Sequence, residues 1–185
     1  MGRLRRVVGV EAVPTELTEA HPGSAFEEFF RSEYRRVVGL ALVLCGRAAI
    51  AEDLAQDAFV SAYRHWDRVG GYDDPGAWVR RVVVNLATSA LRRRSREVRA
   101  LTRLASRREP EQAALVGDDD EFWRAVRALP RRQAQCVALR YLDDRSTEEV
   151  AVILGIAVPT VRVHLHAART ALASRFGEQL DEETS

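Results

Sequence analysis

The 185-residue sequence contains no lysine, so all 28 of its basic residues are arginines. The planar guanidinium of arginine suits paired contacts with phosphates and base edges, but a codon bias, which abundant alanine and valine also indicate, is the favoured explanation for the absence of lysine. The only cysteines, Cys45 and Cys136, lie far apart and show neither C-x-x-C nor histidine spacing typical of zinc sites. We therefore expect both to be small core residues in a reducing cytosol, and we expect no metal and no cofactor.

Long apolar runs are also absent, since none approaches the roughly 20 residues of a membrane span. The first residues, "MGRLRRVVGVEAVP", begin like a signal peptide, but the apolar run ends at Glu11 and is too short for one. We expect a cytoplasmic protein. Sequence signatures of catalysis are missing too, because Asp73 and Asp74 lie beside Gly and Pro, where turn formation and capping explain them. An enzyme is not expected.

What the sequence does contain is helical periodicity. Hydrophobic residues make up 46% of the chain and recur at helical spacing, with no alternating strand pattern. Ser24 and Glu27 form a candidate capping box for the first helix, which Gly46 ends, and Asp74 caps another helix that begins with Pro75. The predicted helices beyond the first are Ile50–Val69, Gly76–Arg94, Glu121–Leu129, Arg131–Tyr141, Thr147–Leu154 and Thr160–Phe176.

The net charge of +1 conceals a sharp segregation of charge. Ten arginines and one acid occupy Trp78 to Arg108, whereas six acids and no base occupy Glu109 to Glu121. This change in composition, with Pro110 and Gly117 inside it, predicts a linker between two small lobes. We expect an all-α protein with a flexible leader at residues 1–23, an N-terminal lobe at 24–95, a flexible linker at 96–120, a C-terminal lobe at 121–176 and an acidic tail at 177–185.

The second lobe contains the pattern of a helix-turn-helix. Ser146 and Glu149 form a capping box before "EVAVILG", Gly155 supplies a left-handed helix end, and Pro159 follows a short turn. The next helix has an inward stripe of Val161, Leu165, Ala168 and Leu172. Any small helical hairpin shows such a stripe, but the glycine in the turn and the "TVRVHL" that follows favour a helix that enters the major groove of DNA.

Taken together, four ordered segments resemble an extracytoplasmic-function (ECF) sigma factor, the small bacterial class that directs RNA polymerase to promoters. They are "AEDLAQDAFVSAYRHWDRV" (51–69), "WVRRVVVNLATSALRRRSR" (78–96), "ALPRRQAQCVALRYLDDRSTEEVAVILGI" (128–156) and "TVRVHLHAARTAL" (160–172). With the helix from Phe26, the resemblance covers residues 24–176 and is closest to the actinobacterial type with short ends.

The resemblance implies that the first lobe binds the coiled coil of the largest subunit of core polymerase, and that the second binds the polymerase flap. Acidic side chains would meet basic polymerase residues, and aromatic ones would add apolar contact area. An ordinary amphipathic helix with a solvated acidic face remains the other interpretation of the same residues. The residues expected at the polymerase contact are Glu52, Asp53, Gln56, Asp57, Phe59 and Tyr63.

The resemblance also implies that the arginine-rich segment melts and holds the minus-10 promoter element. The Gly70–Asp74 loop would form the pocket for an unstacked base, on which Tyr72 could stack, and Asn85 would bond a base edge. Trp78 fits a core residue as well as a stacking platform. The residues expected at the minus-10 element are Tyr72, Trp78, Arg80, Arg81, Asn85, Arg92, Arg93 and Arg94.

The helix-turn-helix is expected at the minus-35 element, and its sequence departs from many relatives. Many relatives carry a serine where Ala157 stands and basic residues where His164 and Ala167 stand. In the N-terminal lobe, they often carry an acid where Ser89 stands. Either the promoter motif is unusual, or this lobe reads mainly DNA backbone and shape. The residues expected at the minus-35 element are Thr160, Arg162, Val163, His164, His166 and Arg169.

A different class, a dimeric helix-turn-helix regulator that acts without polymerase, would need a dimerisation helix and symmetric half-sites. The first lobe shows no heptad repeat, and its arginines precede a linker. A last expectation concerns regulation. Two mobile lobes would suit occlusion by an anti-sigma factor, and lobes found firmly docked would weaken the case for requiring such a partner.

Overall fold

The computed structural model describes residues 22–102 and 119–183, and these residues form helices with no strand among them, which confirms the predicted all-α class. The predicted leader (apart from its last two residues), the middle of the predicted linker and the last two residues of the chain lie outside the described ranges. In chain order the elements are α1 (Pro22–Cys45), α2 (Ala48–Arg64), α3 (Trp66–Val69), α4 (Pro75–Thr102), α5 (Asp119–Ala128), α6 (Arg131–Val137), a π-helical turn (Ala138–Leu142), α7 (Thr147–Leu154) and α8 (Val158–Glu183).

The start of α1 differs from the prediction. The helix begins at Pro22, so Ser24 lies inside it rather than at its N-cap, and the predicted capping box with Glu27 is wrong. Glu27 instead accepts a hydrogen bond from Arg31 one turn later, at 2.5 Å. The predicted end is confirmed, because Gly46 has a φ of 73°, a left-handed conformation that glycine adopts at little cost.

For the second and third predicted helices, the structure confirms one boundary and differs from the prediction at two others. The helix expected over Ile50–Val69 breaks at His65 into α2 and α3. Asp74 caps α4 as predicted, with its Oδ1 accepting from the backbone N–H of Ala77 at 2.8 Å. The arginine-rich helix then continues past the predicted end at Arg94 to Thr102, so the first residues of the predicted linker are helical.

The C-terminal lobe forms the predicted corner. Ser146 and Glu149 make both hydrogen bonds of the capping box, and Gly155 ends α7 with a φ of 63°. The following helix begins at Val158, before the predicted Thr160, and its helical conformation extends through most of the predicted tail to Glu183. All four residues of its predicted inward stripe are buried: Val161, Leu165, Ala168 and Leu172.

The two lobes pack together. In the N-terminal lobe (residues 22–102) α1 contacts α2 and α4, and in the C-terminal lobe (residues 119–183) α5, α6 and α7 pack with α8. Between the lobes α7 lies on α4, while α1 contacts α5 and the π-helical turn, so one hydrophobic core runs through both. Within the described ranges no single helix is long and apolar enough to span a membrane. Only α7 and α8 counted together meet that test, and a 105° bend separates them.

Candidate protein and nucleic-acid interfaces

One face of α2 is acidic and open to solvent. Glu52, Asp53, Gln56 and Asp57 are all exposed. The opposite face of the same helix, which contains Ala51, Leu54, Ala55 and Ala58, is buried against the rest of the lobe. The structure therefore brings the four predicted polar contact residues together on a surface that a basic partner can reach.

The two aromatic residues predicted for that surface have different environments. Tyr63 is 61% exposed, and its ring meets that of Phe26 edge-on at 5.0 Å. Phe59 is only 2% exposed, and its ring centroid lies 4.9 Å from that of Phe30 and 5.9 Å from that of Phe29. The prediction of Phe59 as an exposed anchor is wrong, because it lies one helical turn beyond Ala55 on the buried face of α2.

A pocket of about 490 Å³ lies after α3, where a base-capturing site was expected. Tyr72, which is 41% exposed, forms part of its wall together with the half-buried Trp78. Trp78 also packs against the core, which supports its interpretation as a core residue, and its role as a stacking platform stays a prediction. The pocket wall includes one residue from the other lobe, Val152 of α7.

The exposed face of α4 continues from this pocket along the helix. Arg81, Asn85, Ser89 and Arg92 follow Trp78 at intervals of three or four residues, which places them in one row along the helix. All four are exposed, as is Arg93, whereas Arg94 is half-buried.

Arginines of the C-terminal lobe add to the positive charge near the end of this row. Arg131, at the start of α6, lies close enough to Arg92 and Arg132 to feel their charge. Burial, followed by repulsion from these two guanidinium groups, lowers the pKa of Arg131. Arg92, Arg131 and Arg132 therefore form a positively charged cluster, and a bound anion would reduce the repulsion among them.

Arg80 contradicts its predicted role at the DNA surface. Its side chain is fully buried, and the guanidinium group forms a paired contact with Asp143, in which Arg80 NH2 lies 2.9 Å from Oδ1. Arg80 NH1 also donates to Glu33 Oε2 at 2.6 Å. Burial would lower the pKa of Arg80, but its bonds to these two carboxylates outweigh burial and raise it. In this arrangement Arg80 joins α4 to α1 and to the other lobe and cannot contact DNA.

Two more arginines connect the lobes around that pair. Arg145 NH1 donates to Asp74 Oδ2 at 2.6 Å across the interface and to Glu149 Oε1 at 2.7 Å within its own lobe. Arg81 donates to the carbonyl oxygens of Ile153 and Val152, at 3.0 and 2.9 Å. These carbonyls belong to the last turn of α7, where helix carbonyls lack intrahelical partners and attract positive charge.

The helix-turn-helix has the geometry expected of a DNA reader. The axes of α7 and α8 differ in direction by 105°, within the range of such motifs. Val163 is 65% exposed, and Thr160, Arg162, His166 and Arg169 are exposed beside it, whereas His164 is half-buried. The structure thus brings five of the six predicted minus-35 residues onto the open side of α8.

Several residues that shape these surfaces were not predicted. Tyr141 accepts hydrogen bonds from Arg169 Nε and NH2 at 2.9 and 2.8 Å, which orients that guanidinium on α8. Asp143 and Arg145 form ion pairs between the lobes. The sequence signal for these residues was the density of charges in "DDRSTEE" (143–149). The capping box accounts for Ser146 and Glu149 and leaves the other charged residues of this segment unexplained.

Both cysteines are buried, as expected. Burial raises the pKa of the Cys136 thiol to about 11 and also raises that of Cys45. Within the described residues no group of histidine, cysteine and acidic side chains could hold a metal ion.

Comparisons with known proteins agree with this architecture. The family model for sigma-70 region 2 matches residues 29–97, and that for sigma-70 region 4 matches residues 119–172. The RNA polymerase sigma-E factor of Streptomyces avermitilis is 30% identical over 156 residues, which covers 84% of this chain and 85% of that protein. The ECF RNA polymerase sigma factor SigM of Mycobacterium tuberculosis is 29% identical over 174 residues, covering 90% and 86%.

A solved structure shows the same fold. The sigma factor RpoE of Bartonella quintana, crystallised with the anti-sigma factor NepR, is 25% identical to this chain and superposes with a TM-score of 0.67, covering 80% of this chain and 94% of RpoE. Two helical lobes with matches to regions 2 and 4 define a sigma-type transcription initiation factor. The chain belongs to the ECF sigma factors of the sigma-70 family. It therefore binds core RNA polymerase and directs it to promoters, and a regulator that acts without polymerase is not favoured.

Proposed function

We propose that residues 24–95 act as region 2, residues 121–176 as region 4, and residues 96–120 as the connection between them. Support comes from the two family matches, which begin and end near these limits. The division assigns minus-10 recognition and melting to the first lobe and minus-35 recognition to the second. Neither lobe is assigned a catalytic step, and the protein acts in the cytoplasm, where it meets polymerase and promoter DNA.

In this proposal the acidic face of α2 binds the coiled coil of the largest polymerase subunit. Glu52, Asp53, Gln56 and Asp57 supply charge that attracts a basic partner, and Tyr63 supplies apolar area beside them. The observation in support is that all five side chains are solvent-exposed. Phe59 contributes only by holding α2 against the aromatic residues of α1.

The exposed row on α4 holds the melted minus-10 element. Opening a duplex costs about 1–2 kcal/mol per base step, and a protein can offset this by trapping an unstacked base and neutralising phosphates. Tyr72 and Trp78 form the pocket for the base, Asn85 bonds a base edge, and Arg81, Arg92, Arg93 and Arg94 bind phosphates. The continuity of pocket and row along one helix face is the observation that carries this assignment.

The second lobe contacts the minus-35 element through α8 and the polymerase flap through its remaining surface. Thr160, Arg162, Val163 and His166 face the groove, while Arg169, oriented by Tyr141, binds phosphate. His164 is half-buried and stays at the edge of the contact. With few charges on α8, this lobe supplies only part of the affinity, and tethering to the first lobe and to polymerase supplies the rest.

An anti-sigma factor is a further proposed partner. The Bartonella quintana sigma factor was solved with one, and its fold is shared by this chain. Because the two lobes already contact each other directly, such a partner is not needed to hold them together.

The proposal is tested by in vitro transcription with core polymerase on a library of randomised promoters. The chain should select a two-part motif, and Glu52→Arg should weaken core binding by at least about tenfold, since it places a cation against a basic partner. Glu28→Arg makes the same charge change at an exposed residue of α1 and should leave binding unchanged. Equal binding by the two variants would contradict the assignment of the α2 face.

A further inference from the structure

A cleft of about 670 Å³ lies between α1 and α4 of the N-terminal lobe and α5 and α6 of the C-terminal lobe. A packed protein core contains few voids larger than a water molecule, so this volume is not an ordinary packing defect. It falls within the range of about 300–1,000 Å³ that is typical of small-molecule sites, which often form where two domains meet. The cleft therefore has the size of a ligand site.

The floor of the cleft is apolar and buried. The apolar residues that form it are Val43, Leu44, Val84, Ala87, Val126 and Ala134. Two polar side chains accompany them. Gln135, which is 3% exposed, donates to Thr88 Oγ1 and accepts from Arg132 NH1, both at 3.1 Å. Because these polar groups are already bonded within the protein, a ligand group that reaches the floor should be apolar.

The rim of the same cleft is positively charged. Arg92 and Arg96 of α4 and Arg131 of α6 line the cleft and are exposed. Arg127 of α5 also lines it and is half-buried. None of the described residues in the wall is acidic. The rim therefore attracts an anion, and the guanidinium fork suits a carboxylate or a phosphate.

Two of these arginines bring like charges from both lobes to one place. Arg92 belongs to α4 and Arg131 to α6. Burial, and then the charges of Arg92 and Arg132, lower the pKa of Arg131. A bound anion would reduce this repulsion, whereas a neutral apolar molecule would leave it unchanged. The ligand that fits both floor and rim has an apolar body and an anionic head.

We propose that the cleft between the lobes binds a small single-chain amphiphile, whose apolar tail lies on the floor and whose anionic head is bound by Arg92 and Arg131. The apolar floor beneath a rim of arginines is the observation that carries this site. The site does not depend on which promoter element either lobe contacts. Because its walls come from both lobes, a bound amphiphile also stabilises the contact between them.

The site is tested by isothermal titration calorimetry of the full chain with decanoate, a ten-carbon carboxylate, below its micelle concentration. One decanoate should bind per chain. Acetate supplies the head without the tail, and 1-decanol supplies the tail without the charge. Each should bind at least about tenfold more weakly, because each lacks one half of the contact. No saturable binding of decanoate, or equal binding of either control compound, would overturn the proposal.

The rim is tested with Arg131→Gln and the matched control Arg175→Gln. Arg131→Gln should weaken decanoate binding by about three- to tenfold, the loss expected for one charged contact at an exposed rim. Arg175 is an exposed residue of α8 that does not line the cleft, and its change should leave binding unaltered. Equal weakening by both variants would indicate a general charge effect and would overturn the proposed head contact.

The floor is tested by filling it. Ala134→Leu places a larger side chain in the cleft and should weaken decanoate binding by at least about tenfold, because the tail loses its buried surface. If this variant loses helical circular dichroism, Leu91→Gln replaces it, since Leu91 lines the cleft and is 41% exposed. That change should cost about two- to fivefold. Val60→Gln alters an apolar residue of α2 that is 47% exposed and should have no effect. Wild-type affinity in a correctly folded floor variant would overturn the site.

Two other occupants of the cleft would give different results. Binding of decanoate that appears only after the acids of residues 109–118 are changed to amides would assign the cleft to that acidic segment of the chain. Sedimentation of the chain with phosphatidylglycerol vesicles, lost in Arg131→Gln, would assign it to a membrane surface. Either result would overturn the proposal. We expect decanoate to bind the unaltered chain, and we expect the chain to remain in solution when the vesicles are sedimented.

Discussion

The two ends of α4 carry the same kind of residue in opposite environments. Near its start, Arg80 is fully buried between two carboxylates, and Arg81 is bonded to the end of α7. Near its other end, Arg92 and Arg93 are exposed to solvent. The environment of an arginine on this helix therefore depends on whether the other lobe packs against it, and residue type alone does not determine it.

This difference has an energetic consequence. A buried guanidinium has lost its hydration, and only its carboxylate partners compensate for that loss. An exposed guanidinium, such as that of Arg92, keeps its hydration and contributes little to folding, so it can bind phosphate. The first end of α4 is therefore held in the contact between the lobes, and the second end faces solvent.

The largest expected effect is on stability, and it is measured by removing one arginine from each end of α4. Arg80→Ala should lower the free energy of unfolding by about 3–5 kcal/mol, because it removes the paired contact of the buried Asp143 carboxylate and leaves it only Arg145 Nε, at 3.4 Å. Arg92→Ala should change it by less than about 0.5 kcal/mol. Urea denaturation followed by circular dichroism measures both, and similar losses would show that burial does not distinguish the two ends.

The exposed end should dominate the salt dependence of promoter binding by the holoenzyme. Changing Arg92, Arg93 and Arg94 together to Ala should reduce the slope of log affinity against log salt by about 2–3, as expected for three lost phosphate contacts. Changing Arg31, Arg35 and Arg36 of α1 removes the same charge from exposed residues away from α4 and should leave the slope unaltered. A slope that both triple variants lower equally would indicate a general charge effect.

Between the two ends, Asn85 tests whether the row on α4 reads bases. Asn85→Ala should slow open-complex formation by about 5–100-fold, the loss expected for one contact to a base edge. Core binding should persist, since Asn85 lies on α4 and is not one of the side chains of the acidic face of α2. Permanganate footprinting of the melted strand measures the effect, and Ser89→Ala, one turn along the same row, is the matched control. Loss of core binding by Asn85→Ala would indicate misfolding instead.

The smallest expected effect concerns Glu149, which holds Arg145 at the contact between the lobes. Hydrogen bonds from the backbone of Ser146, and then from Arg145, lower the pKa of Glu149 below its usual range. Its stabilising contribution is therefore present above the ordinary pKa of a glutamate and is lost as the pH falls through the lowered value. Glu149→Gln should cost about 0.5–1 kcal/mol at pH 7, and the difference in thermal stability should disappear at acid pH, where Glu149 is protonated. A cost independent of pH would contradict a role for the ionised form.

Local chemistry explains why some features could be predicted from the sequence. The α7–α8 corner depends on a serine, a glutamate and a glycine within ten residues, and each acts on its own backbone neighbourhood. The cap at Asp74 is of the same kind. The acidic face of α2 follows from helical spacing alone, once the alanines opposite it are assigned to the core.

The failures share a different cause. Arg80 meets Asp143 63 positions later in the chain, and no local pattern distinguishes it from the exposed arginines of α4. Phe59 was expected at the surface because the resemblance assigns its segment to the polymerase contact, yet the rings of Phe29 and Phe30 on α1 pack against it. Both residues depend on which elements meet in three dimensions, and helical periodicity within one segment does not contain that information.

The most direct test of the difference between the two ends of α4 is modification of the folded chain with an arginine-specific reagent, mapped by peptide mass spectrometry. We expect Arg92 to react rapidly and Arg80 to react only on unfolding, because Arg92 is exposed and Arg80 is buried between two carboxylates. Equal reactivity of the two residues in the folded chain would contradict the account.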